Sequence, residues 1–135
     1  MSFKTLTIKI KLVIISGLLG CFVFSSYLKA EIDQDFKGEL ESLKVQIQTN
    51  GPSVTEKLAD YKTYFENHPD NYHESAFLNL WAYSHLLKQE LKLSYEKLLQ
   101  ARSKAELSNN KPQLAESFRL EGAVLDTIGE YGPAL

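Results

Sequence analysis

FRLEGAVLDTIGEYGPAL, residues Phe118 to Leu135, decides how the rest of the chain is read. Gly122 is a small residue where two helices can press together. Val124, Leu125 and Ile128 form an apolar run after it. Gly129 predicts a helix stop, Tyr131 follows, and Gly132-Pro133 opens a further helix at Ala134. Forty residues upstream a weaker copy appears, with Ala82 for Gly122, Leu91 for Tyr131, Ser94 for Ala134 and Tyr95 for Leu135. Self-similarity at a fixed period marks stacked helical repeats, because each unit buries its apolar side against its neighbours.

Between Glu31 and that stretch the apolar spacing is helical. Phe36, Leu40, Leu43 and Ile47 fall at i, i+4, i+7 and i+11, one stripe of a helix over 31–48. Asn50-Gly51-Pro52 ends it, with Gly51 expected to take the left-handed turn. Ser53 and Glu56 form a capping box for a second helix carrying Val54, Leu58, Tyr61 and Phe65 down to Asn67. His68-Pro69-Asp70-Asn71 breaks it, and Asn71 with Glu74 is expected to cap a third helix over about 72–90. Phe77, Leu78, Trp81, Leu86 and Leu87 are its apolar positions. A fourth helix over about 92–107 carries Leu93, Leu98, Ala101 and Ala105, and a fifth runs from about Pro112 to Ile128. No segment alternates with strand period, and no heptad pattern persists. The predicted fold class is all-α, built from antiparallel helical hairpins stacked as a solenoid.

The first thirty residues carry an address. Lys4, Lys9 and Lys11 precede the apolar run Leu12 to Phe24, and no acidic residue occurs before Glu31. That is the pattern of a bacterial export signal or membrane anchor. Cleavage after Ala30, an uncleaved span over Ile8 to Leu28 at roughly the 20 residues a bilayer needs, and lipidation at Cys21 within Leu18-Leu19-Gly20-Cys21 are the three readings. In each the lysine-rich end stays inside and residues 31–135 go out. That exported part holds eleven of the fifteen Lys+Arg and all seventeen Asp+Glu, a net charge of −6. Nucleic acid demands basic patches and is not an expected partner. Cys21 is the only cysteine, so no disulfide framework or thiolate metal site is expected in residues 31–135.

The repeated stretches resemble the tetratricopeptide repeat. Gly122, Gly129, Tyr131, Ala134 and Leu135 stand at its motif places, and Trp81, Ala82, Leu91, Ser94, Leu98 and Ala101 do so in the earlier copy. Phe65 with His68-Pro69-Asp70-Asn71 is similar to the usual junction between repeats. Three residues depart from the pattern: Gln89 replaces the turn glycine, Glu121 a large apolar residue, and His85 an aromatic or leucine. The spacing of forty exceeds the ~34 residues usual for such repeats. A helix opening at Ala134 has one turn in this sequence, which is too short to form by itself. Repeat arrays also need a polar capping element. The expectation is therefore a fragment cut within its last repeat. An export signal ahead of such repeats is similar to the extracytoplasmic input region of bacterial membrane sensors. Their diguanylate cyclase (GGDEF) or histidine kinase half lies on the other side of the membrane. The alternative is a free or lipidated periplasmic scaffold with no enzyme attached.

No catalytic constellation is readable in the residues given, and no cofactor or metal is expected. His68, His73 and His85 lack a helical His-x-x-x-His pair, Ser53 and Ser94 lack a histidine and acid at motif spacing, and no glycine-rich phosphate loop occurs. Tyr61, Tyr64, Phe65, Tyr72, Phe77, Trp81 and Tyr83 lie at helical spacing and are expected to be core. The resemblance implies binding of a protein or peptide on the concave face lined by the first helix of each pair. Counted from Ala82 and Gly122, that face carries Asn79, Tyr83 and Leu86, then Glu116, Arg119, Ala123 and Asp126. Tyr83 would be an amphipathic contact, and Arg119 would meet an acidic group or carboxyl terminus. The competing reading is a wet surface on which Arg119 pairs with Glu116 or Asp126. In either case Gly122→Leu is expected to overpack a close helix contact.

Overall fold

The computed structural model describes residues 21–51 and 53–131. Among them are five α-helices and no strand: α1 (Cys21–Gln48), α2 (Val54–Asn67), α3 (Asn71–Leu87), α4 (Leu91–Leu107) and α5 (Lys111–Tyr131). The fold class is all-α. The chain divides into two compact units, residues 1–41 and 42–135. The described residues of the first unit belong to α1. Within the described residues this helix already runs from Cys21, ahead of the expected Glu31; it has no proline, and its one glycine, Gly38, lies in open space. Phe36 is buried there. The readings of residues 1–20 as signal, anchor or lipoprotein box lie outside the described residues, as does the helix expected from Gly132-Pro133. Among the described residues no helix is long and apolar enough to cross a membrane.

In the second unit the predicted stripes are largely the buried ones. Leu43 and Ile47 of α1 are buried, as are Val54, Leu58, Tyr61 and Phe65 of α2. Tyr61 and Phe65 each stack on Phe77 of α3 with ring centroids 5.6 Å apart, and Phe77 leads on to Trp81 at 5.4 Å. Tyr61, Phe65 and Phe77 are thus buried and Tyr64, Trp81 and Tyr83 half-buried, but Tyr72, also expected in the core, lies exposed in the first turn of α3. A second cluster, Ala82, Leu98, Leu120 and Val124, joins α3, α4 and α5, with Tyr83, Leu86 and Leu91 packed against it. Burying a side chain such as Leu98 or Phe77 contributes roughly 1.5–3 kcal/mol. The α3–α4 approach is close because its contact residues are small: the Ser94 hydroxyl donates to the Ala82 carbonyl across 2.8 Å, and both residues are fully buried.

Three turns share one geometry. Asn50, Gln89 and Asn109 have φ of 52°, 59° and 52°. Each donates its N–H three residues back, to Ile47, Leu86 and Glu106. The next N–H, of Gly51, Glu90 or Asn110, reaches five residues back, to Gln46, His85 or Ala105 at 2.8–2.9 Å. This is the Schellman arrangement, which satisfies carbonyls left open at a helix end. Asn50, not Gly51, therefore takes the left-handed turn after α1. Gln89 takes the left-handed region at the α3–α4 turn although it is not a glycine.

Two caps differ from expectation. Ser53 makes no capping bond; its hydroxyl donates to Gln46 Oε1 at 3.3 Å instead. Asp70, not Asn71, caps α3, because its carboxylate accepts from the N–H groups of both Tyr72 and His73 while Asn71 is already helical. Nor does Gly129 stop α5, which continues to Tyr131. A single glycine in a helix interior costs only ~1 kcal/mol relative to alanine, too little to end a helix of this length.

Candidate binding surface

The seam between α3 and α5 is polar and dry. The Asn79 amide donates to the Gln113 carbonyl (2.9 Å) and to Gln113 Oε1 (3.0 Å), and its oxygen accepts from the Ser117 hydroxyl at 2.8 Å. One end of the seam is closed by Asn110. Its amide donates to the Tyr72 carbonyl (3.0 Å) and the Ser75 hydroxyl (3.4 Å), while its oxygen accepts from the Gln113 N–H (3.4 Å) at the start of α5. Ser75, Asn79, Asn110 and Ser117 are all buried. Buried polar groups are tolerated only when paired, and these are paired with one another, which fixes the register of α5 on α3.

The seven residues assigned to the concave face occupy different settings, Ala123 being half-buried. Asn79 is 2% exposed and lies within the seam, so its side chain is not on an open face. Leu86 is half-buried against the apolar cluster. Tyr83 packs on the same cluster. Arg119 meets Glu116 through two bonds, Nε to Oε2 at 2.7 Å and Nη2 to Oε1 at 2.6 Å. That bond to Glu116 raises the guanidinium pKa above its ordinary value; partial burial opposes the rise and Tyr83 adds to it. Asp126 is exposed two turns farther along α5. The structure thus pairs Glu116 with Arg119 on α5, while Tyr83 of α3 packs on the apolar cluster. The guanidinium keeps three of its five N–H donors free of Glu116. An exposed ion pair of this kind is worth only ~0.2–1 kcal/mol, so an incoming carboxylate can compete for Arg119.

The histidines are built into turns and caps. His68 stacks on Tyr64 with centroids 4.7 Å apart, His73 Nδ1 lies 2.5 Å from Asp70 Oδ2, and His85 Nδ1 lies 2.6 Å from Glu90 Oε2. The bond with His85 lowers the Glu90 pKa, against a smaller effect of burial. Among the described residues no three His, Cys, Asp or Glu side chains gather as a metal ion would need.

Glu121 and His85 each have a defined partner. Glu121 pairs with Arg102 of α4, and the same guanidinium lies 4.3 Å over the Phe118 ring. His85 stacks on Trp81 as well as meeting Glu90. Trp81 also meets a cation: Lys97 Nζ is 4.0 Å from the ring centroid. The Lys97 pKa is lowered by burial first and by Lys62 second.

Periodicity pointed to none of the seam residues, because Ser75, Asn110, Gln113 and Ser117 count as wet in an apolar count. A usable signal was present: small or amide side chains at Ser75, Asn79 and Ala82 follow the i, i+4, i+7 spacing of a buried face. Compared with known protein families, curated proteins and solved structures, the chain matches none of them.

Proposed function

We propose that residues 31–135 form a tetratricopeptide-like helical scaffold that binds a protein or peptide outside the inner membrane of a bacterium. The observation that carries this reading is the α3–α4 pair. Ala82 and Ser94 stand at the places where the repeat pattern asks for small residues, and Ser94 bonds directly to the Ala82 backbone. α5 then lies back on α3 through the Asn79 seam, as a following repeat would. The exposed edge bearing Glu116 and Arg119 is the part of the groove available to a ligand, and Arg119 is its anchor for a carboxylate. Lys4, Lys9 and Lys11 ahead of the apolar run support export. On this reading the scaffold is the input region of a membrane signalling protein of the diguanylate cyclase or histidine kinase type. A free-standing periplasmic scaffold is the alternative.

A peptide library with free and amidated carboxyl termini, panned against the protein from Glu31 onward, tests the binding role. Peptides with a free carboxylate should be enriched, and Arg119→Ala should remove that preference. Enrichment that ignores both the terminus and Arg119 would show that the anchor is misplaced.

A further inference from the structure

Asn50 and Asn109 are a matched pair. Each ends a helix in the left-handed region at φ 52°, and each side chain is exposed. Among the described residues neither carboxamide has a hydrogen-bond partner. The amides of Asn67, Asn79 and Asn110 are by contrast engaged, donating to Thr63, Gln113 and Tyr72. What separates Asn50 from Asn109 is the next residue. Gly51 follows the first; Asn110, with its side chain locked in the seam, follows the second.

The backbone does not require a glycine at 51. Asn50, not Gly51, takes the left-handed region, and a Cβ added to Gly51 would meet Gln46 at 3.5–3.8 Å, an ordinary contact. The glycine does have a chemical effect on residue 50. Without a Cβ its nitrogen is unshielded, and its backbone is free to fold back on the preceding carboxamide.

We propose that Asn50 is a site of spontaneous deamidation with the Gly51 nitrogen as nucleophile, and that the reaction opens the turn between α1 and α2 irreversibly. The Gly51 nitrogen gives its proton to solvent base and attacks Asn50 Cγ. The N–Cγ bond forms, the Cγ–Nδ2 bond breaks, and the amide nitrogen leaves as ammonia after taking a proton from water. Water then opens the cyclic imide at either carbonyl and gives aspartate or isoaspartate. In sum a water is consumed and an ammonia released, with no oxidant or reductant.

The Gly51 N–H is held by the Gln46 carbonyl at 2.8 Å, so the reaction starts from the opened turn. Such openings cost least in exposed segments with few buried contacts. The products oppose reclosure. Either one places a carboxylate at the C-terminal end of α1, where the helix dipole is negative. Isoaspartate also lengthens the main chain between residues 50 and 51, which takes the Gly51 N–H out of register with Gln46. None of this depends on the repeat reading.

The full chain and its Gly51→Ala form are held in mildly alkaline buffer, and Asn50 and Asn109 are followed by peptide mapping and mass spectrometry. Asn50 should convert about tenfold faster than Asn109 or more, and Gly51→Ala should slow it by a similar factor with helical circular dichroism unchanged. Isoaspartate should be among the products. In the converted protein, amide exchange should speed up at residues 50 and 51 and stay as it was at Asn109 and Asn110. Equal rates at Asn50 and Asn109, or an Asn50 rate indifferent to Gly51→Ala, would overturn the role of Gly51. So would aspartate formed without isoaspartate, since direct hydrolysis needs no neighbouring nitrogen. An Asn50 that converts only after denaturation would show that the turn seals the site. Conversion with unchanged exchange at residues 50 and 51 would overturn the opening.

Discussion

Ala82 on α3 and Gly122 on α5 hold the same place in a forty-residue register, yet one is enclosed and the other open. α3 is flanked by α2, α4 and α5. It therefore has aromatic neighbours on one side, a hydroxyl bonded to its backbone on a second, and an amide seam on a third. Among the described residues α5 buries the side bearing Ser117, Leu120 and Val124, meets Arg102 of α4 through Glu121 and Phe118, and leaves Phe118 and Leu125 half exposed. A small residue in a helix permits close approach and does not bring it about. The approach occurs where a second helix supplies a matching small residue, as Ser94 does.

Four substitutions break or sharpen that contrast. The largest effect is expected from Ala82→Leu, which forces three further carbons into a fully enclosed site. Equilibrium denaturation should show a loss of about 3 kcal/mol, at the upper end of overpacking costs. A loss under about 1 kcal/mol, below that range, would mean the α3–α4 contact is loose. Asn79→Ala removes the amide that joins α3 to α5, while the Ser117 hydroxyl keeps its 2.9 Å bond to the Gln113 carbonyl. About 1–2 kcal/mol should be lost, in the range for the net loss of a few buried hydrogen bonds. Hydrogen exchange should speed up in α5 more than in α2.

Asp70→Ala tests how α3 begins. Loss of a side-chain cap costs about 1 kcal/mol. Burial raises the Asp70 pKa, but its bonds with the side chain and backbone of His73 outweigh this and hold it below the ordinary 3.8. A depressed carboxylate pKa contributes stability that is fully present above the unfolded value and lost as pH falls through the folded one. Melts of the two proteins should therefore differ above about pH 4 and converge in stronger acid. A gap that stays constant into strong acid would count against the cap. The smallest effect belongs to Gly122→Ala in a version stopped after Tyr131. With nothing near Gly122, the added methyl should stabilise α5 by about 0.5–1 kcal/mol through backbone entropy. A loss there would show a contact at Gly122 within residues 21–131. The open site also corrects the expectation that Gly122→Leu overpacks a contact within the described helices.

Much of the helical layout was legible. Val54, Leu58, Tyr61 and Phe65 are all buried as their spacing required, because a stripe at that period can only face one way on a helix. α2 has its predicted bounds, and α4 starts one residue from the expected place. Misplaced features were those decided by a competitor for the same bond. Asp70 outcompetes Asn71 as a cap because its carboxylate reaches two N–H groups at once. Asn50 takes the left-handed turn ahead of Gly51 because the Schellman bonds fix the position from the helix end inward, whichever residue falls there. Leu93, Leu125 and Ile128 are apolar by type and exposed by position, which single-helix periodicity does not distinguish from core.

Within the proposed groove, counting from Ala82 placed Tyr83 and Arg119 on one face but also placed Asn79 there. Asn79 turned inward because Gln113 and Ser117 offered it a complete set of partners.

From the sequence alone follow an all-α chain, the places where each helix gives way to the next, and a forty-residue register shared by α3 and α5. These are local properties, set by which neighbours along one helix can share a face. Only the packed structure decided which polar side chains are sealed in the α3–α5 seam and which apolar ones stay in water. Both depend on what a second helix presents at the same point, and that second helix lies far away along the chain.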